Sequence, residues 1–189
     1  METIDHAQEK TDPESMFRVL MFLLLCCSAC GPIEQPKWAE TVAAFDVPLQ
    51  TPADKRHFIE VLTKEAEFSG FHVDAATEQE LKVTSEISPQ TMNATVWRGK
   101  NDDEPIASAM DFQDHLGRVW ITFSLGQDAA RSRRFREALM SAIRKNWPDT
   151  ASLPIMPTGA IPLARDLVRT PSGYVVKPGA EATYQNPAS

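Results

Sequence analysis

From residue 51 onward the chain alternates between two periods. Thr51-Pro52-Ala53-Asp54 opens a helical stretch: Thr51 can cap, Pro52 suits the first helical position, and Asp54 sits in the positive first turn. Phe58, Ile59, Leu62 and Ala66 recur at helical spacing and mark one buried face, while Lys55, Arg56, Glu60, Lys64 and Glu67 mark the polar one. Gly70 stops the helix. Residues 71–75 then predict a short strand. Residues 77–89 carry two signals: T-E-Q-E can cap a short helix, but L-K-V-T-S-E-I alternates as a strand does. A strand, or a turn and a strand, is the expectation there. Met92, Ala94 and Val96 alternate with Asn93, Thr95 and Trp97, as in a half-buried strand, and residues 98–105 make a polar hairpin loop. Residues 106–113 and 118–125 form the clearest strand pair, with Val119, Ile121, Phe123 and Leu125 on one face and a turn at 114–117.

A second helix begins near Asp128, carries the stripe Phe135, Ala138, Leu139, Ala142 and Ile143, and stops by Trp147-Pro148. Half of the 14 prolines lie from Pro148 onward. Residues 148–189 are therefore expected to wrap the domain as an extended arm, with Tyr174, Val175 and Val176 as a short edge strand and a frayed last ten residues. Residues 30–50, with Pro32, Pro36 and Pro48 and no lasting periodicity, are expected to be a tether and entry segment. The pattern over 51–147 predicts an α+β two-layer domain: an antiparallel sheet of about 4–5 strands with two helices on one face.

The most apolar run comes earlier. Residues 19–25 are continuously apolar, and all three cysteines of the chain, Cys26, Cys27 and Cys30, follow. A bilayer-spanning helix needs roughly 20 apolar residues. This run is much shorter and is closed by Pro32 and Pro36. A basic start at Arg18, a short apolar core and the small residues Ser28 and Ala29 have the organisation of a secretory signal peptide. Its end, S-A-C-G, resembles the lipobox of bacterial lipoproteins, with Cys27 where that motif usually has Leu. The resemblance covers residues 16–31. It implies cleavage after Ala29, lipidation of Cys30, and a membrane-anchored chain in the cell envelope. In such lipoproteins Asp after the cysteine favours the inner membrane, so Gly31 implies the outer membrane, facing the periplasm. The other readings of these residues are a signal anchor, a plain signal peptide, a buried core helix, or a metal site. A C-C-x-x-C cluster with no nearby His lacks the fourth ligand that structural zinc wants.

Composition sharpens this picture at one point. Of the formal charge of −7, residues 1–15 hold −4, five acids against Lys10. An acidic start does not suit a signal peptide, so Met16 is the expected initiation site and 1–15 an over-extended start or a disordered segment. If Cys30 is acylated, the mature chain has no free thiol, which suits an oxidising compartment. The acidic balance disfavours nucleic acid as a partner.

Candidate chemistry is sparse. Arg131, Arg133, Arg134 and Arg136 cluster in the first half of the second helix and could meet phosphate or an acidic partner; a solvated face paired with Asp102, Asp103 and Glu104 is the plainer account. Trp97 and Trp120 fall on the strand positions opposite the apolar face. They would form an exposed aromatic binding patch unless the arm, through the apolar run 153–163, covers them. Trp147 is the third such ring. His72 and Asp74 share a strand face, and Asp111, Asp114 and His115 lie close in sequence, but a metal needs three or four converging ligands. No G-x-S-x-G elbow and no glycine-rich phosphate loop occurs. No cofactor or metal site is assigned.

The expectation is a non-enzymatic binding or structural role in the envelope, with the membrane as one partner through Cys30 and an envelope protein as another. An immunity or inhibitor lipoprotein against a periplasmic toxin is one form of it, an assembly factor another, and a carboxylate-based envelope hydrolase the alternative. The anchor can be read directly. Chain extracted from the membranes of a Gram-negative host should have an intact mass beginning at Cys30 with added acyl mass, and a Cys30→Ser variant should lose that mass and the membrane association. An unprocessed chain in the cytosol would remove the anchor.

Overall fold

The computed structural model describes residues 36–85, 92–99, 103–111 and 117–184. Cys30 and the lipobox-like segment, and the pair Asp114 and His115, lie outside the described residues. The fold is α+β. A short 3-10 turn at Lys37–Ala39 leads into β1 (Thr41–Val47), α1 (Pro52–Phe68), β2 (His72–Ala75), α2 (Glu78–Ser85), β3 (Asn93–Arg98), β4 (Glu104–Met110), β5 (Val119–Ser124), α3 (Ala129–Asn146), β6 (Ala151–Ser152), and the hairpin β7 (Leu167–Thr170) and β8 (Gly173–Val176). The main sheet has six strands in the order β2-β3-β4-β5-β1-β6, and every neighbouring pair is antiparallel. The hairpin is a separate two-stranded sheet.

Two expectations are corrected. The segment 30–50 is not all tether, because Thr41–Val47 is an interior strand of the sheet, between β5 and β6. Its pattern is obscured because both of its faces are covered: Val42, Ala43, Phe45 and Val47 pack with the main core, while Ala44 packs in a second cluster beyond the sheet and Asp46 is buried. The second correction concerns residues 77–89, where a helix forms over Glu78–Ser85. The capping signal prevails over the alternation. The Thr77 hydroxyl accepts from the Glu80 amide, and the Glu80 carboxylate accepts from the Thr77 amide and hydroxyl.

Helix α1 forms where its sequence says. The Thr51 hydroxyl accepts from the Asp54 amide at 3.1 Å, and the Asp54 carboxylate accepts from the Thr51 amide at 3.0 Å. Those bonds from Thr51, side chain first, hold the Asp54 carboxyl below its usual range. The helix ends in a Schellman arrangement: Phe71 N–H donates to Ala66, Gly70 N–H donates to Glu67, and Gly70 sits at φ 70°. Phe58, Leu62 and Ala66 of α1 and Phe135, Leu139, Met140 and Ile143 of α3 are buried on one face of the sheet, against Val96, Ile106, Val119, Ile121 and Phe123. The His57 and Phe58 rings approach Trp147, at the end of α3, at 5.5 and 5.7 Å, so α1 and α3 run antiparallel. Trp147 is thus a core residue.

This arrangement gives the domain two poles. One holds the end of α1, the start of α3, the end of β3 and the start of β4. The chain enters there: Leu125 N–H donates to Glu40, and Gly126 N–H to Trp38. Arg131 stitches the helices together at the same pole, donating through Nε to the Ser69 carbonyl at 2.8 Å and through a terminal nitrogen to that of Gly70 at 2.9 Å. The opposite pole holds the start of α1, the end of β2 and the start of β3.

Gly126 and Gly159 separate the cost of a positive φ from the cost of crowding. Both have positive φ, 75° and 80°, but a Cβ on Gly126 would sit 2.2 Å from the Ser132 hydroxyl, whereas one on Gly159 meets nothing within 4 Å. Gly126→Ala should therefore destabilise the protein by about 1–3 kcal/mol, and by clearly more than Gly159→Ala, as read by urea denaturation midpoints.

Candidate functional site

At the pole away from the chain entry lies a cleft of about 580 Å³. That volume is in the range of small-molecule and peptide side-chain sites. Helix α1 and its cap contribute Pro52, Lys55, Arg56, Ile59 and Glu60. Across from them stand Ala75, Ala76, Leu81, Met92 and Asn93. Pro52, Ile59, Leu81 and Met92 make its lining largely apolar.

Its geometry depends on Asp111. This carboxylate, 5% exposed, accepts from Lys55 Nζ at 2.5 Å and from the Met92 amide at 2.8 Å. It therefore joins the first turn of α1 to the start of β3, on the two sides of the cleft. Asp111 is a structural link here. The Lys55 charge is matched by Asp111, whereas Arg56 is exposed, makes no hydrogen bond or ion pair with a described residue, and offers its cation to the cleft. Glu60 is the one carboxylate among the described lining residues. What this arrangement can do chemically is hold an apolar group, with an anionic or hydrogen-bonding group beside Arg56.

The residues singled out by sequence are distributed differently. Trp97 and Trp120 do not form one patch. In register Trp97 stands opposite Pro105, while Trp120 stands opposite Met110, which itself pairs with Asn93 at the other end of β3. Trp120 is 9% exposed and packs with Ala44, Leu153 and Leu167, against Ile155, Ile161 and Tyr174. The arm is therefore its cover. Trp97 is half-buried, and its indole N–H is buried with no hydrogen-bond acceptor among the described residues. Of the arginines, Arg131 caps α1 and stacks 4.8 Å from the Phe71 ring centre, so it serves the fold. Arg133 and Arg134 are exposed and Arg136 is half-buried, and none is ion-paired with a described residue. Glu104 does not neutralise the cluster, because it is buried and paired with Arg98 at 3.1 Å and accepts from the Gln127 amide at 2.6 Å. His72 and Asp74 lie on the edge strand β2. Among the described residues no three His, Cys, Asp or Glu side chains converge on a metal position. None of those residues had marked the cleft, whose walls meet only in three dimensions. The polar side of α1, where Arg56 stands, was the sole trace of it.

A second polar centre lies beneath the arm. Asp46, 1% exposed, is paired with Arg118 at 2.5 Å on the sheet face that the hairpin covers. One Asp46 oxygen and one Arg118 nitrogen are buried without a well-formed hydrogen bond. Burial first, and then the neighbouring Asp46 carboxylate, raise the Tyr174 phenol above its ordinary range. Tyr184 donates to Asp166 and receives from the Leu163 amide, closing the arm. The bond to Asp166 raises its pKa as well. The frayed end expected over the last ten residues is thus corrected in part, since Glu181–Tyr184 forms a 3-10 turn.

No protein-family model matches this chain, and no curated protein matches it in sequence.

The two tyrosines are the only ones in the chain, and both lie in the arm. A phenol whose folded pKa is raised contributes stability in full below its unfolded pKa, and loses it as pH climbs through the folded value. Absorbance at 295 nm should therefore show both phenols ionising later than in chain unfolded by guanidinium. Stability should fall from about pH 10 upward, and Tyr174→Phe should flatten that fall. Coincident titrations of folded and unfolded chain would refute the placement of the half-buried Tyr174 phenol beside Asp46.

Proposed function

We propose that this chain is a lipid-anchored binding protein of the cell envelope, held at Cys30, whose cleft receives an apolar group with an anionic or hydrogen-bonding neighbour. The observation that carries the reading is the polarity of the domain. The chain enters by Trp38 and Glu40 at one pole, and the cleft of Ile59, Leu81 and Met92 opens at the other. A domain tethered at its entry pole presents that cleft away from the membrane, where an envelope partner can reach it. Among the described residues, the fate of the buried carboxylates favours binding over the hydrolase alternative. Asp46, Glu104 and Asp111 are each matched to a cation, at Arg118, Arg98 and Lys55, and they lie at separate places in the fold. A carboxylate pair for glycoside chemistry would instead face one cleft.

Anilinonaphthalene sulfonate matches the proposed chemistry, with apolar rings beside a fixed anion. It should bind the folded protein at one site. Arg56→Glu and Ile59→Arg should each weaken binding about tenfold or more, which is about 1.4 kcal/mol, without lowering the urea midpoint enough to unfold the chain. Equal affinity in the variants and the parent would overturn the cleft as the site.

A further inference from the structure

Phe68 is the most exposed large apolar side chain among the described residues, 90% accessible, about double Leu163, Val168 or Val175. It ends α1 at the pole where the chain enters the domain. The connection is continuous: Trp38 accepts from Gly126, Gly126 lies against Ser132, and Arg131, beside Ser132, holds the carbonyl of Ser69, the residue after Phe68.

We propose that this pole rests on the bilayer and that the Phe68 ring enters the headgroup region. This deepens the proposed function and rests on lipidation of Cys30. Residues 31–35 can span at most about 20 Å between Cys30 and the domain. That reach would keep the entry pole close to the lipid surface, and Phe68 stands on that pole. Insertion of a single ring is too weak to hold a protein on a membrane by itself. Tethering changes this, because the second contact then forms within one molecule at high effective concentration.

Charge does not drive the contact. Lys37, Arg133 and Arg134 are exposed there with no described partner, but the exposed acids Glu40, Glu67, Asp103 and Asp128 stand among them. The exposed cations can meet phosphates by extending their side chains along the interface, while the apolar ring supplies the insertion. Arg131 keeps the carbonyls at the end of α1 bonded, so the helix end can approach the interface with those acceptors satisfied.

The test uses the lipidated chain reconstituted in vesicles of phosphatidylethanolamine and phosphatidylglycerol. Once Cys30 is acylated and the residues before it are removed, Phe68→Cys supplies the single reactive thiol for a nitrobenzoxadiazole label. Lys145→Cys, in the last turn of α3 at the opposite pole, is the control. Emission at 68 should shift to the blue and rise about twofold on reconstitution, as for a side chain buried at the headgroup boundary, and spin-labelled lipid should quench it. Emission at 145 should change in neither respect. If the intact mass shows acyl chains but positions 68 and 145 respond alike, the orientation is wrong and the anchor stands. If the mass shows no acyl chain, the anchor fails and the orientation with it. A response at 68 seen in native envelopes but not in protein-free lipid would assign the surface to a protein partner and overturn the proposal.

Discussion

The pairing of β1 with β5 is the constraint on which the rest of this structure depends. It joins residues 41–47 to residues 119–124, across most of the domain, and places the first strand inside the sheet. Loop-closure entropy must be overcome before that pairing returns any stabilisation, so it is a demanding contact to form. Once formed, it determines both faces. Val47 and Phe45 face the helices, Ala44 and Asp46 face the arm, and β6 can pair on the outer side of β1 only after β1 is in place. The strand therefore couples the helical layer to the arm.

The same topology separates the ends of the domain. Because α1 and α3 run antiparallel across a sheet of antiparallel strands, the end of α1, the start of α3 and the entering chain meet at one pole. The cap of α1, the end of β2 and the start of β3 meet at the other and leave the cleft between them. The entry pole holds Phe68, whose exposure serves no packing purpose within the domain. The cleft pole is tied by Asp111, which spends its charge on Lys55 and its second oxygen on the Met92 amide. The membrane contact proposed for the entry pole and the binding proposed for the cleft would lie at opposite ends of the domain, where neither obstructs the other.

Among the described residues three carboxylates are buried, and each is ion-paired. Removing a charge from water is costly unless a partner compensates it, and such pairs contribute little net stability. Arg118–Asp46 lies under the hairpin and Arg98–Glu104 beside the start of α3, so each requires a particular seating of the element above it. The Tyr174 phenol, raised by burial and by Asp46, belongs to the first of these centres. The arm is thereby held by specific polar contacts as well as by the apolar contact with Trp120.

Local chemistry was legible in the residues themselves. Thr51-Pro52-Ala53-Asp54 and Gly70 bounded α1, the stripe of Phe135, Leu139 and Ile143 identified α3, and the hairpins and the α+β class followed from period two between two helices. The short strands β6 and β7 of the arm carried no expectation, and two further elements escaped for physical reasons. The strand β1 lacks clean alternation because both of its faces are covered, and α2 is decided by a cap at Thr77 that competes with alternating residues. The sites were less legible. Trp97 and Trp120 share strand parity, but strand register, which spacing cannot supply, puts them at opposite ends of the sheet and puts the arm over one of them. Arg131 resembles its neighbours in sequence, yet only its distance to the end of α1 makes it a cap. By itself the sequence determined α1, α3, the central hairpin strands and the α+β class, because caps, periodicity and short motifs act within a few residues; the lipobox-like address it suggests stands as a proposal. Only the tertiary structure decided the cleft, the covered sheet face and the exposed Phe68, because each is a relation between residues far apart along the chain.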